Sequence, residues 1–198
     1  MNYYAEYEND FDDEYIEEDP NEDDFPSAHA NRRMKNDENE SAFFEMEQNA
    51  RNLIEEGKYR TGMETFEKCI EVLLNSSPDG PQSFAFQEFI ERTIRFLNDI
   101  ALKLLQEDKV QPSMALLEKC QAWTHPEKYG VYPALRSLTF NHIGCCYRRL
   151  GKLDKALFYL EKALQFISGM EKVETSGITH INLCAVLSQL GELNFFAC

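Results

Sequence analysis

The 198-residue chain has little proline and little glycine, seven and nine residues. That argues against an all-β design with many tight turns. No apolar run approaches the roughly 20 residues that a membrane-spanning helix needs. Its six cysteines are scattered, without the short paired spacings of a zinc site or a secreted disulfide framework. A reducing, intracellular setting is the expectation. The first ten residues, MNYYAEYEND, are acidic, which excludes the basic start of a secretory signal or a transit peptide. There is no glycine-rich phosphate loop, no serine elbow and no basic excess, so neither nucleotide chemistry nor nucleic-acid binding is expected.

What the chain has in excess is negative charge, unevenly placed. Net charge is −15. Residues 1–25 hold twelve Asp or Glu and no Lys or Arg, and residues 1–45 carry sixteen acids against three bases, a net of −13. The remaining residues carry 19 acids and 17 bases, a net of −2. Crowded carboxylates repel one another and resist burial, so residues 1–38 read as a disordered tail and 39–198 as the folded body. Tyr3, Tyr4, Tyr7, Phe11, Tyr15, Ile16 and Phe25 are spaced among these acids. Two roles are open for that tail: a solubilising segment, or an arm that docks on a basic, apolar surface.

The body repeats itself. NARNLIEEGKYRTGMETFEKCIEVL (49–73), IALKLLQEDKVQPSMALLEKCQAW (100–123) and IGCCYRRLGKLDKALFYLEKALQFI (143–167) share one frame, and LCAVLSQLGELNFFAC (183–198) begins it. The anchors are turn residues Gly57, Asp108, Gly151 and Gly191. Seven residues earlier stand Ala50, Ala101, Gly144 and Cys184; five later stand Gly62, Ser113 and Ala156. Apolar residues fall at helical spacings on both sides of each turn. Each unit is therefore two antiparallel helices, with small residues where the axes must approach closely. Glycine suits the left-handed conformation that ends a helix, and Asp108 tolerates it. Cys69, Cys120 and Cys184 fill small-residue slots and read as small apolar groups.

These residues resemble the tetratricopeptide repeat. GCCYRRLGKLDKALFYLEKAL (144–164) carries the likeness most fully, and the whole frame covers about residues 40–198. No Trp opens a first helix and no Pro closes a second, which departs from the family pattern. The anchors lie 51, 43 and 40 residues apart. That spacing, with LNDIA, FNHIG and HINLC on the first helices, is similar to the longer-repeat subgroup of kinesin light chains. The resemblance implies an all-α, right-handed α-solenoid of antiparallel helix pairs, with turns near 57, 108, 151 and 191 and an incomplete last repeat. The missing part suggests a fragment, a helix supplied by a partner or second copy, or a frayed end.

The resemblance further implies a non-catalytic scaffold or adaptor that holds an extended peptide of another protein in a groove lined by first helices. Arg95, Asn98, Asn141, His142, Arg148 and Asn182 are the candidate groove residues. Asn offers a donor and an acceptor to a peptide backbone, and Arg can grip a carboxylate through two parallel hydrogen bonds. No cofactor, metal, nucleic acid or membrane is expected. The setting is cytoplasmic, with cytoskeletal or ciliary scaffolds common in the family, and self-association through the last repeat is open. An alternative makes the acidic aromatic tail the functional element, filling the groove or docking on a basic partner. A Cys146–His142 pair at i, i+4 is the one nucleophile-and-base arrangement in the chain, and it lacks a third orienting group.

Overall fold

The computed structural model describes residues 28–130, 132–168 and 174–196, and it describes side chains from residue 40 to 191 apart from 131 and 169–175. The described residues form eight α-helices and one 3-10 turn, with no strand among them. The helices are α1 (Ala28–Glu55), α2 (Tyr59–Ser76), α3 (Phe84–Gln106), α4 (Val110–Trp123), α5 (Pro126–Tyr129), α6 (Pro133–Arg149), α7 (Leu153–Ile167) and α8 (Glu174–Phe196). The chain divides into two units, 1–42 and 43–198. The described part of the first is the helical stretch from Ala28. Helix therefore begins well before the boundary at 39 expected from charge. The acidic residues 1–27 lie outside the described residues.

The second unit is built from repeated hairpins. Three of the four expected turns carry the same local geometry. Gly57, Asp108 and Gly151 have φ of +80°, +61° and +70°. In each, the turn residue's N–H donates three residues back and the next N–H donates five back. Lys58 reaches Leu53 at 2.8 Å, Lys109 reaches Leu104 at 2.8 Å and Lys152 reaches Tyr147 at 2.9 Å. This pairing satisfies the last carbonyls of the first helix and reverses the chain.

Gly191 does not turn. It lies inside α8, which runs on to Phe196. Gly57, Asp108 and Gly151 are each followed by fourteen or more residues of second helix that bury an apolar face. Gly191 keeps helical backbone where the other three turn residues break it.

Small residues set the approach within each hairpin. A Cβ on Gly62 would lie 2.7 Å from Ile54 and 3.1 Å from the Ala50 carbonyl. One on Gly144 would lie 2.7 Å from Leu160 Cγ and 3.3 Å from the Ala156 carbonyl. In the middle hairpin Ser113 takes the slot of Gly62, and its hydroxyl donates to the Ala101 carbonyl at 2.8 Å. The three contacts are one contact repeated: a small residue of the second helix against a small residue of the first.

Neighbouring hairpins then pack side by side. First helix meets first helix at α3–α6 and α6–α8, and second helix meets the next first helix at α2–α3 and α4–α6. The core between them is apolar and fully buried, with Phe66, Phe86, Phe89, Leu97, Leu117, Trp123 and Ile143 among its largest members. Their burial drives assembly, each such side chain contributing about 1.5–3 kcal/mol against exposure. Ser83 starts α3 by accepting the Phe86 N–H at 3.3 Å. The result is an all-helical, tetratricopeptide-like arrangement of stacked hairpins.

Candidate functional site

A polar contact between first helices recurs in each layer, made by the residue ten positions before the turn. In α1 it is Glu47, in α3 Asn98 and in α6 Asn141. Each pairs with the first helix of the next layer. Glu47 accepts from Arg92 Nε at 3.0 Å and Arg92 Nη2 at 2.6 Å, and also from Arg51 at 3.0 Å. Asn98 Nδ2 donates to the Ile94 carbonyl at 2.9 Å and to Thr139 Oγ1 at 3.0 Å. Asn98 Oδ1 lies 3.0 Å from His142 Nδ1. Asn182 Nδ2 donates to Asn141 Oδ1 at 3.0 Å. These polar rungs tie helix to helix inside an otherwise apolar seam.

The rungs fix charge states. With Asn98 Nδ2 donating twice, its Oδ1 is the acceptor. His142 Nδ1 therefore carries the proton, and Nε2 is a bare acceptor. Burial holds the imidazole neutral, pushing its pKa down to about 4. Burial alone would raise the Glu47 carboxyl, but hydrogen bonds and charge from Arg92 and Arg51 outweigh it and hold it below the usual carboxylate range. Cys146 pairs with Ser113 Oγ at 3.4 Å, and burial raises its thiol. Cys145 is pushed up to about 11 by burial. His142 and Cys146 thus have different partners, and the thiol is kept protonated, opposite to what a nucleophile needs.

Beside the α3–α6–α8 seam is a recess of about 290 Å³. Leu102, Leu138 and Ile178 give it apolar walls; Asn141, His142 and Asn182 give it polar ones. A second recess, about 400 Å³, adjoins it and reaches Gln189. The two share Leu105, Cys145, Arg148 and Arg149. Among the described residues no Asp or Glu lines either one. Arg149 lies 3.8 Å from Asp108. Arg148 has no carboxylate partner among the described residues.

Four of the six candidates, Asn141, His142, Arg148 and Asn182, come together here. The other two do not. Asn98 is fully buried, with its amide engaged on three partners, so it belongs to the seam and is closed to a peptide. It sits where two first helices meet, and there the neighbouring helix supplies the partners a ligand would otherwise supply. Arg95 is exposed and bridges Glu91 of its own helix at 2.8 Å, outside the recess. Missed from sequence were the apolar walls. Leu102, Leu138 and Ile178 look like core positions until the stacking places them at an opening. A larger recess, about 710 Å³, lies on the second helices around Tyr59, Met63 and Leu116. Its rim charges pair with one another, Lys119 with Glu67 at 2.6 Å and Arg60 with Glu64 at 3.0 Å.

The model of one protein family, tetratricopeptide repeat, matches residues 137–167, which run from the second turn of α6 to the end of α7. The match supports a tetratricopeptide-repeat protein, a class of generally non-catalytic modules for protein–protein interaction. No curated protein and no solved structure matches the chain.

Proposed function

We propose that this chain is a non-catalytic scaffold or adaptor of the cytoplasm, in cytoskeletal or ciliary assemblies, that binds an extended peptide of a partner protein across α3, α6 and α8. The carrying observation is Arg148. Among the described residues it is a cation without a carboxylate partner, at a recess that no described Asp or Glu lines, in a chain of net charge −15. A carboxylate of the incoming peptide supplies that partner. The amide groups left open on the Asn141–Asn182 rung serve its backbone, and Leu102, Leu138 and Ile178 cover an apolar side chain. Turn residues 57, 108 and 151 lie 51 and 43 residues apart, which supports the longer-repeat, kinesin-light-chain-like subgroup. The proposal includes a right-handed course of the solenoid.

The test is a fluorescence-anisotropy titration of the purified chain with extended peptides that place Asp or Glu beside Leu or Phe. Affinity should fall as salt rises, and Arg148→Glu should weaken binding about tenfold or more. Equal binding of acidic and uncharged peptides, or indifference to Arg148→Glu, sinks the reading.

Charge favours one further reading. Residues 1–25 hold twelve acids, no bases and interspersed aromatics, the same chemistry the recess asks of a peptide. In this reading the acidic segment is the functional element, as a groove filler or as an arm for a basic partner. Deleting residues 1–38 decides it. An unchanged affinity and salt dependence removes the tail from the account; a tighter peptide complex makes it a competitor.

A further inference from the structure

His142 carries a polar atom that the fold leaves without a partner. The residue is only 7 % exposed. Its Nδ1 lies 3.0 Å from Asn98 Oδ1, inside the α3–α6 seam. Its Nε2 has no hydrogen bond among the described residues, and yet it is not sealed in. The two nitrogens leave the imidazole in divergent directions. With Nδ1 turned into the seam, Nε2 is turned to the recess that His142 lines together with Leu102, Leu138 and Ile178.

The seam also decides what Nε2 can do. Thr139 Oγ1 donates to the Leu135 carbonyl at 2.9 Å and accepts from Asn98 Nδ2 at 3.0 Å. Asn98 Nδ2 donates again to the Ile94 carbonyl at 2.9 Å. Turning the Asn98 amide over would set its oxygen against that carbonyl, so the backbone of α3 fixes Oδ1 toward the imidazole. Oδ1 can only accept; the ring proton is therefore on Nδ1, and Nε2 keeps a lone pair. Burial holds the ring neutral near neutral pH. A mostly buried acceptor is costly to leave without a donor.

The recess selects among donors. Among the described residues Arg148 has no carboxylate partner and no Asp or Glu lines the recess, so a Lys or Arg of the ligand would meet like charge. A carboxylate would meet the lone pair of Nε2 and is better held by Arg148. A neutral donor is left, and an extended peptide offers one at the backbone of every residue except proline. His142 and Arg148 stand six residues apart on α6. That is about 9 Å along the helix axis, which an extended chain covers in about three residues.

We propose that Nε2 of His142 accepts a backbone N–H of the bound peptide and so sets its register, with the acidic side chain that meets Arg148 about three residues away. The proposal rests on the peptide reading of the recess. Asn98, itself closed to the peptide, is the positioning residue that orients the imidazole.

The probe is the tightest binder among the peptides that place Asp or Glu beside Leu or Phe, remade as a series in which one backbone nitrogen at a time carries a methyl group. In anisotropy titrations a methyl group at one position, about three residues from the acid, should weaken binding about tenfold or more. Against His142→Ala the unmodified peptide should bind more weakly, and the same methyl group should cost about threefold or less. That comparison removes the effect of the methyl group on the free peptide. In NMR of protein with isotopically labelled histidine nitrogens, His142 Nε2 should read as the unprotonated nitrogen at neutral pH, and its resonance should move upfield when the unmodified peptide is added. Circular dichroism checks that His142→Ala keeps its helices; if it does not, the wild-type resonance decides. A protonated Nε2 in the free protein, or an Nε2 that the peptide leaves unmoved, overturns the proposal. Where binding is then still weakened by Arg148→Glu, the peptide reading of the recess survives. A moved Nε2 with no methyl-sensitive position puts a side-chain donor there and overturns the backbone assignment. A peptide set that does not bind at all removes both.

Discussion

Removing the Arg92 guanidinium should cost more stability than removing the carboxylate it holds. Glu47 has a side chain only 7 % exposed, and it accepts a forked pair of hydrogen bonds from Arg92. Arg51 supplies two more, from Nε at 3.1 Å and Nη2 at 3.0 Å. The two arginine side chains are 40 % and 22 % exposed. In Arg92→Ala the carboxylate stays buried with half its donors. Charge-assisted hydrogen bonds of this kind contribute about 1.5–3 kcal/mol, and stranding a fully buried charge costs about 3–5 kcal/mol. Because water reaches Arg92, about 2–3 kcal/mol is the expectation. In Glu47→Gln both cations can turn toward water, and the loss should be nearer 1 kcal/mol. The carboxyl is held below its unfolded value, so its contribution is present above the unfolded pKa and is lost as pH falls through the folded one. Urea denaturation of the wild type and both variants at neutral and acid pH measures this. Arg92→Ala costing less than Glu47→Gln, or an acid limb unchanged by Glu47→Gln, would refute the reasoning.

Other consequences follow from the same geometry. Gly144→Ala forces a methyl to within 2.7 Å of Leu160, which is fully buried; overpacking of about 1–3 kcal/mol exceeds the helix-propensity gain of up to about 1, so the melting temperature should fall. Gly151→Ala meets nothing within 4 Å, yet it should cost about 1–2 kcal/mol in chemical denaturation, because its φ of +70° is strained for any residue with a Cβ. His142, neutral with a folded pKa of about 4, makes the unfolded state the better proton acceptor; stability should decline as pH drops from about 6.5 toward 4, and His142→Gln should flatten that decline in denaturant melts. Native thiol titration should modify Cys184 while Cys69, Cys120 and Cys146 wait for unfolding.

Much of this fold can be read from the turn residues alone. Gly57, Asp108 and Gly151 mark places where only a left-handed residue lets two helices fold together, and the small residues at fixed offsets reveal which faces meet. Gly191 shows the limit of that logic. Glycine accepts ordinary helical φ as readily as the left-handed one, so its position in the frame alone does not say which it adopts. The same holds for the recess. Asn98 and Asn141 occupy one repeat position and both are buried, yet Asn98 is sealed by Thr139 and His142 while Asn141, 2 % exposed, borders the recess beside Asn182. The difference comes from the neighbouring layer, which lies more than forty residues away in sequence. Leu138 and Ile178 were invisible as walls for that reason: periodicity assigns a side to a residue, and stacking decides whether that side is closed.

The stacking of successive first helices is tested most directly by a double-mutant cycle on Asn98 and His142, which lie 44 residues apart in sequence and 3.0 Å apart in space. Stabilities of Asn98→Ala, His142→Ala and the double variant should show a coupling of about 0.5–3 kcal/mol. Additivity within about 0.3 kcal/mol would mean the two helices are not neighbours, and the layered arrangement with its recess would be wrong.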